Sequence, residues 1–303
     1  MKMIRRFIIG LSTLATTLLV AAPALAVSND AILPLGVNNR FTLTPGEYII
    51  TYYDFLNQGT QLPPLGSGWT ARVGTSEPRD RSSAFYISPS DGVLGSWVSA
   101  NRIANISTTG AGSYNFGTNF YMAAPSTLPS NLALGKTYRE YVEFVMDNGG
   151  SWLPSSKAYY DITLDSKHGQ WIGQSGYPTI PRGSAVDMFI QFKNTGPTGW
   201  YRNGMRGYTG TSQYPVGAVR LGTANPLDRG SLFWATGTTG WVSNNRIQLQ
   251  ESYVAAGDIG TFRFTLTPHA SLTAGSYKEY FRLVCEGVGW MEDSGVNVVI
   301  TVT

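Results

Sequence analysis

The chain has 303 residues, of which 42% are hydrophobic and 14% charged, and its formal net charge is +3. Three of its 22 lysines and arginines lie within the first 26 residues, which leaves 19 basic and 19 acidic side chains in the remainder. Such a balance offers no basic face for nucleic acid, and the single cysteine excludes an intrachain disulfide. A near-neutral surface also repels copies of itself only weakly, which favours a protein that assembles.

Residues 1–26 have the pattern of a secretory signal peptide. Basic residues precede an apolar run from Phe7 to Ala22, and Ala24-Leu25-Ala26 offers a small-residue cleavage site. No second long apolar run follows, so we expect no transmembrane segment in the mature chain. The pattern predicts an exported protein.

An internal repeat follows the signal. The segment from Arg72 to Tyr86, RVGTSEPRDRSSAFY, returns from Arg220 to Trp234 as RLGTANPLDRGSLFW, and eight of the fifteen positions are identical. Further matches keep the same order, at a spacing of roughly 140 residues. They pair residues 55–59 with 192–196, 97–103 with 241–247, and 135–145 with 275–284. We therefore predict two domains, residues 27–166 and 167–303, joined near residues 165–169.

Each copy has the composition of an all-β domain. Short runs of β-branched and aromatic residues, such as Ile49–Phe55, Thr261–Leu266 and Val296–Val302, alternate with Gly, Pro, Asn and Ser. No long amphipathic helix is evident after the signal. About seven strands in a domain of this size predict two tandem immunoglobulin-like β-sandwich domains, with a jelly roll as the alternative.

The strand predicted after Gly275 places a glutamate in an apolar row, and the first copy does the same. The shared face contains Tyr277, Glu279, Phe281, Leu283 and Cys285 in one copy, and Tyr138, Glu140, Val142, Phe144 and Met146 in the other. Because a buried, unpaired carboxylate is costly, Glu140 and Glu279 should each pair with a repeated arginine. The candidate partners are Arg72, Arg81, Arg102, Arg220, Arg229 and Arg246.

Tyr138 and Tyr277 stand a few residues after a glycine, at the start of this strand. In sandwiches of this type a tyrosine at that place bonds to nearby backbone, as a tyrosine corner. We expect both residues to be structural.

The motifs of the second copy resemble those of the four-tryptophan (FW) immunoglobulin-like domain. They comprise N-x-G at Asn194–Gly196, Trp200, the G-T-x-x-P-x-D-R segment, W-V-x-x-N-R, G-x-Y-x-E-x-F-x-L-V and Trp290. The similarity covers residues 167–303 and, more loosely, 40–164. In the first copy Trp69 lies three residues before Arg72, whereas Trp200 lies twenty before Arg220. The resemblance implies a non-enzymatic sandwich used for contact between proteins or at a bacterial cell surface, and it transfers no ligand.

The repeated fifteen-residue segment has turn chemistry, because proline presets one φ angle and aspartate bonds to nearby backbone. We expect Pro226–Arg229 to be a turn that leads into a strand with Phe233 inside. A ligand-binding pair formed by Asp228 and Arg229 is the alternative.

Four repeated tryptophans are expected to pack in the core or between sheets: Trp97, Trp152, Trp241 and Trp290. Trp171 and Trp234 are less constrained, as is Tyr86, which stands opposite Trp234 in the repeat. An exposed aromatic ring of this kind can stack on a sugar ring.

The segment from Tyr201 to Pro215 has no counterpart in the first copy, and it is the best candidate for a recognition surface. It is rich in Gly, Tyr and Arg, the last two being enriched at interface hot spots. Its candidate binding residues are Tyr201, Arg202, Met205, Arg206, Tyr208 and Tyr214, to which Trp234 is added. A solvated connection without function is the alternative.

Catalytic patterns are not evident. His168 lies in the linker and His269 in a Pro-His-Ala turn, and no H-E-x-x-H, G-x-S-x-G, P-loop or calcium-loop motif occurs. Cys285 belongs to the apolar row, so a buried inert thiol is expected. We predict no catalytic residue, no metal and no cofactor.

Together these features predict a secreted or cell-surface bacterial protein with a structural or adhesive role, whose partners are other surface proteins or further copies of itself. The rival hypothesis is a tandem carbohydrate-binding module, which requires exposed aromatic rings on one face. A hydrolase, the third hypothesis, requires converging carboxylates or a histidine pair in a cleft.

Overall fold

The computed structural model describes residues 32–37, 39–57, 70–87, 97–106, 114–147, 151–204 and 217–303. The predicted signal peptide lies outside the described residues, as do Met205, Arg206, Tyr208 and Tyr214. Every regular element in the described ranges is a β-strand, as the alternating sequence pattern predicted. No helix among these residues is long and apolar enough to cross a membrane.

The described strands fall into two groups along the chain. The first group comprises β1 (Ile32–Val37), β2 (Arg40–Leu43), β3 (Tyr48–Asn57), β4 (Thr70–Ser76), β5 (Arg102–Ile106), β6 (Tyr114–Ala123), β7 (Lys136–Asp147) and β8 (Ser151–Leu164). The second comprises β9 (Gly169–Gln174), β10 (Thr179–Ile180), β11 (Val186–Asn194), β12 (Trp200–Tyr201), β13 (Val219–Ala224), β14 (Trp241–Ser243), β15 (Arg246–Gln248), β16 (Tyr253–Val254), β17 (Ile259–Leu266), β18 (Gly275–Cys285), β19 (Gly289–Trp290) and β20 (Asn297–Val302).

Both groups have the same two-sheet topology. In the first, one sheet has the order β1-β3-β6 and the other β2-β8-β7-β4-β5. In the second, β17-β11-β9 faces a sheet of order β10-β20-β18-β13-β15-β14, and β12 pairs with β16. In each group a short strand, β2 or β10, pairs in parallel with the last strand. In the first group β4, β7 and β8 share one sheet, and in the second β13, β18 and β20 do so. This division of the strands between two sheets is the immunoglobulin-type arrangement and not a jelly roll.

Each group encloses its own hydrophobic cluster, because alternate residues of each strand face inward. The first cluster includes Tyr53, Phe55, Phe120 and Phe144, and the second includes Phe192, Phe262, Phe264 and Leu283. Along β18 the residues Glu279, Phe281, Leu283 and Cys285 are buried, as the sequence predicted for this face. The equivalent row of β7 is buried in the same way, with Glu140 among its apolar neighbours.

Candidate functional site

The repeated fifteen-residue segments form the same turn in both groups. In the second, the Asn225–Pro226 peptide bond is cis, and Asn225 and Asp228 have φ of 52° and 64°. The Asp228 amide donates to the Thr223 carbonyl at 3.2 Å, which closes the turn. The first group repeats these features at Thr75, Glu77, Pro78 and Asp80. The segment is therefore a turn, as its chemistry indicated, and Phe233 is buried as expected. The expected strand after the turn is wrong, since the next strand begins only at Trp241.

The arginine that ends each turn pairs with the buried glutamate of the neighbouring strand, as the sequence predicted. Arg229 donates through Nε to the Ala224 carbonyl at 3.0 Å, and its Nη2 pairs with Glu279. In the first group, Arg81 Nη2 lies 2.8 Å from Glu140 Oε2. Burial raises the pKa of Glu140, although hydrogen bonds from Arg81 and Ser83 oppose that shift. Both buried glutamates are therefore paired with an arginine of their own strand group.

The other repeated arginines pair with acidic residues at the C-terminal end of β7 or directly after β18. Arg246 Nε lies 2.8 Å from Glu286 Oε1, and its Cζ lies 5.0 Å from the centre of the Trp290 ring. Arg220 Nε is 3.9 Å from the same Glu286 oxygen. In the first group, Arg72 and Arg102 both pair with Asp147, at 2.6 Å and 3.0 Å, and Arg102 lies over Trp152.

Trp152 and Trp290 were expected to pack in the core or between the sheets, but neither belongs to a core cluster. Each indole is partly exposed on the outer face of its sheet, where it lies against a glycine. A Cβ at Gly222 would be 2.5 Å from Trp290 Cη2, and one at Gly74 would be 2.6 Å from Trp152 Cη2. The tryptophan therefore packs between a bare backbone and an arginine, on the side of the strand opposite the core.

Trp97 and Trp241 do pack as expected. Trp97 is buried in the first cluster, and Trp241 packs against the second and donates from Nε1 to the Thr265 carbonyl at 2.9 Å. Tyr86 makes an edge contact with Trp97, and Trp234 is partly buried.

Both expected tyrosine corners are present. The Tyr277 hydroxyl donates to the Thr273 carbonyl at 2.8 Å, and the Ala133 amide donates to the Tyr138 hydroxyl at 2.6 Å. Each ring also lies against a phenylalanine of the repeated segment, Phe233 or Phe85.

A buried lysine joins the two strand groups, and no sequence pattern signalled it. Lys167 Nζ lies 2.5 Å from Glu47 Oε1, donates to the Gly199 carbonyl at 2.7 Å and reaches Thr198 Oγ1 at 3.2 Å. The Thr44 and Thr198 hydroxyls bond to each other at 2.8 Å beside this pair. The short linker is thus held by contacts from both groups.

His168, next in the chain, pairs with Glu292 through Nδ1 and lies 3.5 Å from Asp165 through Nε2. The hydrogen bond that His168 donates to Glu292 raises the pKa of His168. Burial acts to raise the pKa of Glu292, but bonds from His168 and from backbone amides outweigh it and lower the pKa. This pair too lies at the junction between the strand groups.

Tyr201, Tyr253 and Ile259 form what we call the tyrosine ledge. The Tyr201 and Tyr253 ring centroids are 4.9 Å apart, and Tyr253 and Ile259 line a cavity of about 450 Å³. Tyr253 is 49% exposed and Ile259 nearly as much. Arg202 lies alongside and donates from Nη1 to the Gln250 carbonyl at 3.1 Å. Of the predicted binding residues, the structure thus brings Tyr201 and Arg202 to one surface.

A groove, here called the Trp171 groove, lies between β9 and the segment that leads into β20. It has a volume of about 450 Å³ and is lined by Trp171, Gly173, Gln174, Ser175, Gly176, Tyr177 and residues 294–297. Trp171 is 43% exposed and Tyr177 61% exposed. Trp234 belongs to neither this groove nor the ledge.

The remaining reactive side chains are engaged locally. Cys285 is buried, and burial raises the pKa of its thiol to about 12. His269 Nδ1 lies 2.7 Å from the Ser271 hydroxyl, in the turn where the sequence placed it.

The strand order defines an immunoglobulin-type β-sandwich protein. No protein-family model matches the chain, and no curated protein matches it. Among solved structures the chain is similar to titin domains Z1Z2 in complex with telethonin, with 8% identity, a TM-score of 0.25, and coverage of 89% of this chain and 94% of that one. It is similar to a protein of unknown function from Porphyromonas gingivalis W83, with 11% identity, a TM-score of 0.22, and coverage of 91% and 97%.

A third similar structure is the ICAM-5 D1–D4 ectodomain fragment, with 11% identity and a TM-score of 0.25. The similarity covers 91% of this chain and 54% of that one. The assignment of the sandwich type therefore rests on the strand order of the chain itself.

Proposed function

We propose that the protein is a non-enzymatic, exported bacterial protein with a structural or adhesive role at the cell surface or outside the cell. It acts through protein–protein contacts and is a subunit of an assembly of its own copies. Residues 1–26 serve as the secretory signal, and residues 27–166 and 167–303 are two FW-like domains. The signal pattern supports export, and the internal repeat supports the two domains.

The observation that carries the proposal is the tyrosine ledge. Tyr253 and Ile259 are large and apolar, and both are about half-exposed. Aromatic residues beside an arginine are the composition typical of interface hot spots, and Arg202 follows Tyr201 directly. An exposed cluster of this kind on a rigid sheet edge gains free energy when a partner covers it.

The ledge also has a rigid support. Gly199 makes room for the Tyr253 ring, since a Cβ there would lie 2.2 Å from Tyr253 Cε2. The carbonyl of the same glycine accepts a hydrogen bond from Lys167, whose Nζ is 5.9 Å from the Tyr201 ring centre. A preordered surface loses little conformational entropy on binding.

A second copy of the chain is the proposed partner, because residues 27–303 carry equal numbers of acidic and basic side chains. Two such surfaces meet without net repulsion.

The test is sedimentation velocity of the purified protein over about 1–100 µM, a range that spans the affinity of ordinary specific interfaces. The double variant Tyr253→Ala/Ile259→Ser should associate at least about tenfold more weakly. Ile50→Ser, which removes an exposed apolar residue of β3 in the other strand group, is the matched control and should associate like the wild type. A wild-type protein that stays monomeric throughout, or a ledge variant that associates normally, contradicts the proposal.

A further inference from the structure

We infer that the Trp171 groove is a binding site for neutral oligosaccharides. Its volume of about 450 Å³ falls within the range of small-ligand sites, which is about 300–1,000 Å³. The groove is separate from the tyrosine ledge, since the two have no lining residue in common. It therefore adds a ligand of another chemical class to the protein contacts proposed above.

The aromatic side chains of the groove suit a sugar ring. Trp171 and Tyr177 are 43% and 61% exposed, and in the described part of the chain neither ring packs against another aromatic ring. A flat apolar ring face is complementary to the C–H face of a pyranose, and contact removes water from both. The hydration of two exposed apolar rings is unfavourable, and a sugar that covered both rings would release that water.

Two of the polar side chains that line the groove are amides, and each donates one hydrogen bond to a backbone carbonyl. Gln174 Nε2 donates to the Asn297 carbonyl at 2.8 Å, and Asn297 Nδ2 donates to the Gly295 carbonyl at 3.0 Å. These bonds fix both side chains. Among the described residues neither amide oxygen accepts a hydrogen bond, so each is available to a sugar hydroxyl.

The lining also selects against charge. None of the described residues that line the groove is Asp, Glu, Lys or Arg. A uronic acid or sulfated sugar would place its anion beside amide oxygens without a cation to compensate it, which is unfavourable. Neutral hexoses and N-acetylhexosamines meet no such penalty.

Two glycines line the groove, although no close contact of the backbone requires a glycine at either position. A Cβ at Gly173 or Gly176 would meet no atom within 4 Å. A larger side chain at Gly173, within β9, should therefore occupy the groove while the fold stays intact.

The groove distinguishes the two strand groups. β1, which occupies the place of β9 in the first group, reads ILPLGV and contains no aromatic residue. On this strand, therefore, the described part of the first group has no counterpart of Trp171.

The experiment is isothermal titration of the purified protein with cellohexaose, chitohexaose and xylohexaose, and with hexagalacturonic acid as the acidic comparison. We expect at least one neutral oligomer to bind with a dissociation constant between about 1 µM and 1 mM. Trp171→Ala and Tyr177→Ala should each weaken binding at least about tenfold, and Trp171→Phe should weaken it less because it keeps a ring face. Gly173→Val should block binding although both aromatic rings remain.

Tyr253→Ala is the matched control, since it removes a half-exposed tyrosine that lies outside the groove. It should bind the glycan like the wild type, so failure of the ledge proposal and failure of this one are distinguishable. The inference is overturned if none of the neutral oligomers binds, if hexagalacturonic acid alone binds, or if Trp171→Ala binds as tightly as the wild type. Native-like circular dichroism and thermal unfolding establish that each variant is folded.

Discussion

The ammonium group of Lys167 lies 2.5 Å from a carboxylate oxygen of Glu47, and the lysine side chain is only 1% exposed. The two residues are 120 positions apart in sequence, Glu47 in the first strand group and Lys167 in the linker. The same ammonium group donates to Gly199 in the second strand group. One buried ion pair thus connects the start of the first group, the linker and the second group.

Substitution of one member of this pair should be costly. Lys167→Met leaves the Glu47 carboxylate buried without its cation, which typically costs about 3–5 kcal/mol. We expect a loss of this size in the unfolding free energy measured by urea denaturation. Addition of Glu47→Gln, which removes the unpaired charge and keeps an acceptor for the Thr44 amide, should recover part of the loss. Equal urea midpoints for Lys167→Met and the wild type would show that the pair does not stabilise the fold.

The corner pairs should be similarly important in both groups. Arg229→Ala leaves Glu279 buried without its guanidinium, and Arg81→Ala does the same to Glu140. Each variant should lose about 3–5 kcal/mol of unfolding free energy. Arg139→Ala is the control, because Arg139 is solvent-exposed and its pair with Asp161 should contribute far less. The prediction is wrong if all three arginine variants unfold at the same denaturant concentration.

The His168–Glu292 pair should make stability depend on pH. The raised pKa of His168 means that its contribution is fully present below the unfolded value of 6.5 and is lost as the pH rises through the folded value. The lowered pKa of Glu292 means that its contribution is present above 4.5 and is lost as the pH falls through the folded value. The pair is therefore most stabilising between about pH 4.5 and 6.5, the two unfolded values, and its contribution declines on either side.

His168→Gln should accordingly unfold more easily than the wild type at about pH 5.5, by less than about 1 kcal/mol because both side chains are partly exposed. At about pH 9 the difference should be smaller, because it declines as the pH rises through the raised pKa of His168. Thermal unfolding of the wild type and the variant at the two pH values measures this difference. His269→Gln is the control, because His269 is bonded to a neutral serine. A difference that grows toward alkaline pH would have the wrong sign.

Alanine at the glycines beneath the repeated tryptophans should be destabilising. At Gly222 the new Cβ would lie 2.5 Å from Trp290 Cη2 and 2.8 Å from Cζ3, so the indole must shift off the backbone on which it rests. Overpacking of this kind costs about 1–3 kcal/mol. Thermal unfolding of Gly222→Ala and Gly74→Ala should show the loss, whereas Gly173→Ala, which extends into open space, should not. A stable Gly222→Ala protein with unchanged tryptophan fluorescence would refute this packing.

The single thiol should be unreactive in the folded protein. Burial raises the pKa of Cys285 to about 12, so almost no thiolate exists at neutral pH. Ellman's reagent at about pH 8 should label the native protein slowly and the urea-unfolded protein completely. Rapid stoichiometric labelling of the native protein would contradict the burial of this residue.

The sequence predicted the features that depend on local pattern. The period-two alternation of β18 and β7 placed Glu279 and Glu140 on a buried face, and the cost of an unpaired carboxylate then required an arginine. The position of Tyr277 after Gly275 likewise predicted its bond to nearby backbone. The internal repeat predicted that both copies would form the same corner, and they do.

Only the tertiary structure decided which distant residues meet. The pairing of Lys167 with Glu47 has no local signature, because a lysine in a polar linker is usually solvated. Trp290 was expected inside, but it lies on the outer face of its sheet, since a repeated tryptophan does not reveal which face of the strand it occupies. Trp171 and Asn297 line one groove although they are far apart in sequence, because β9 and β20 border it from different sheets. Strand alternation determines the face of a residue within its own strand, whereas the neighbours of that face depend on how the sheets pack.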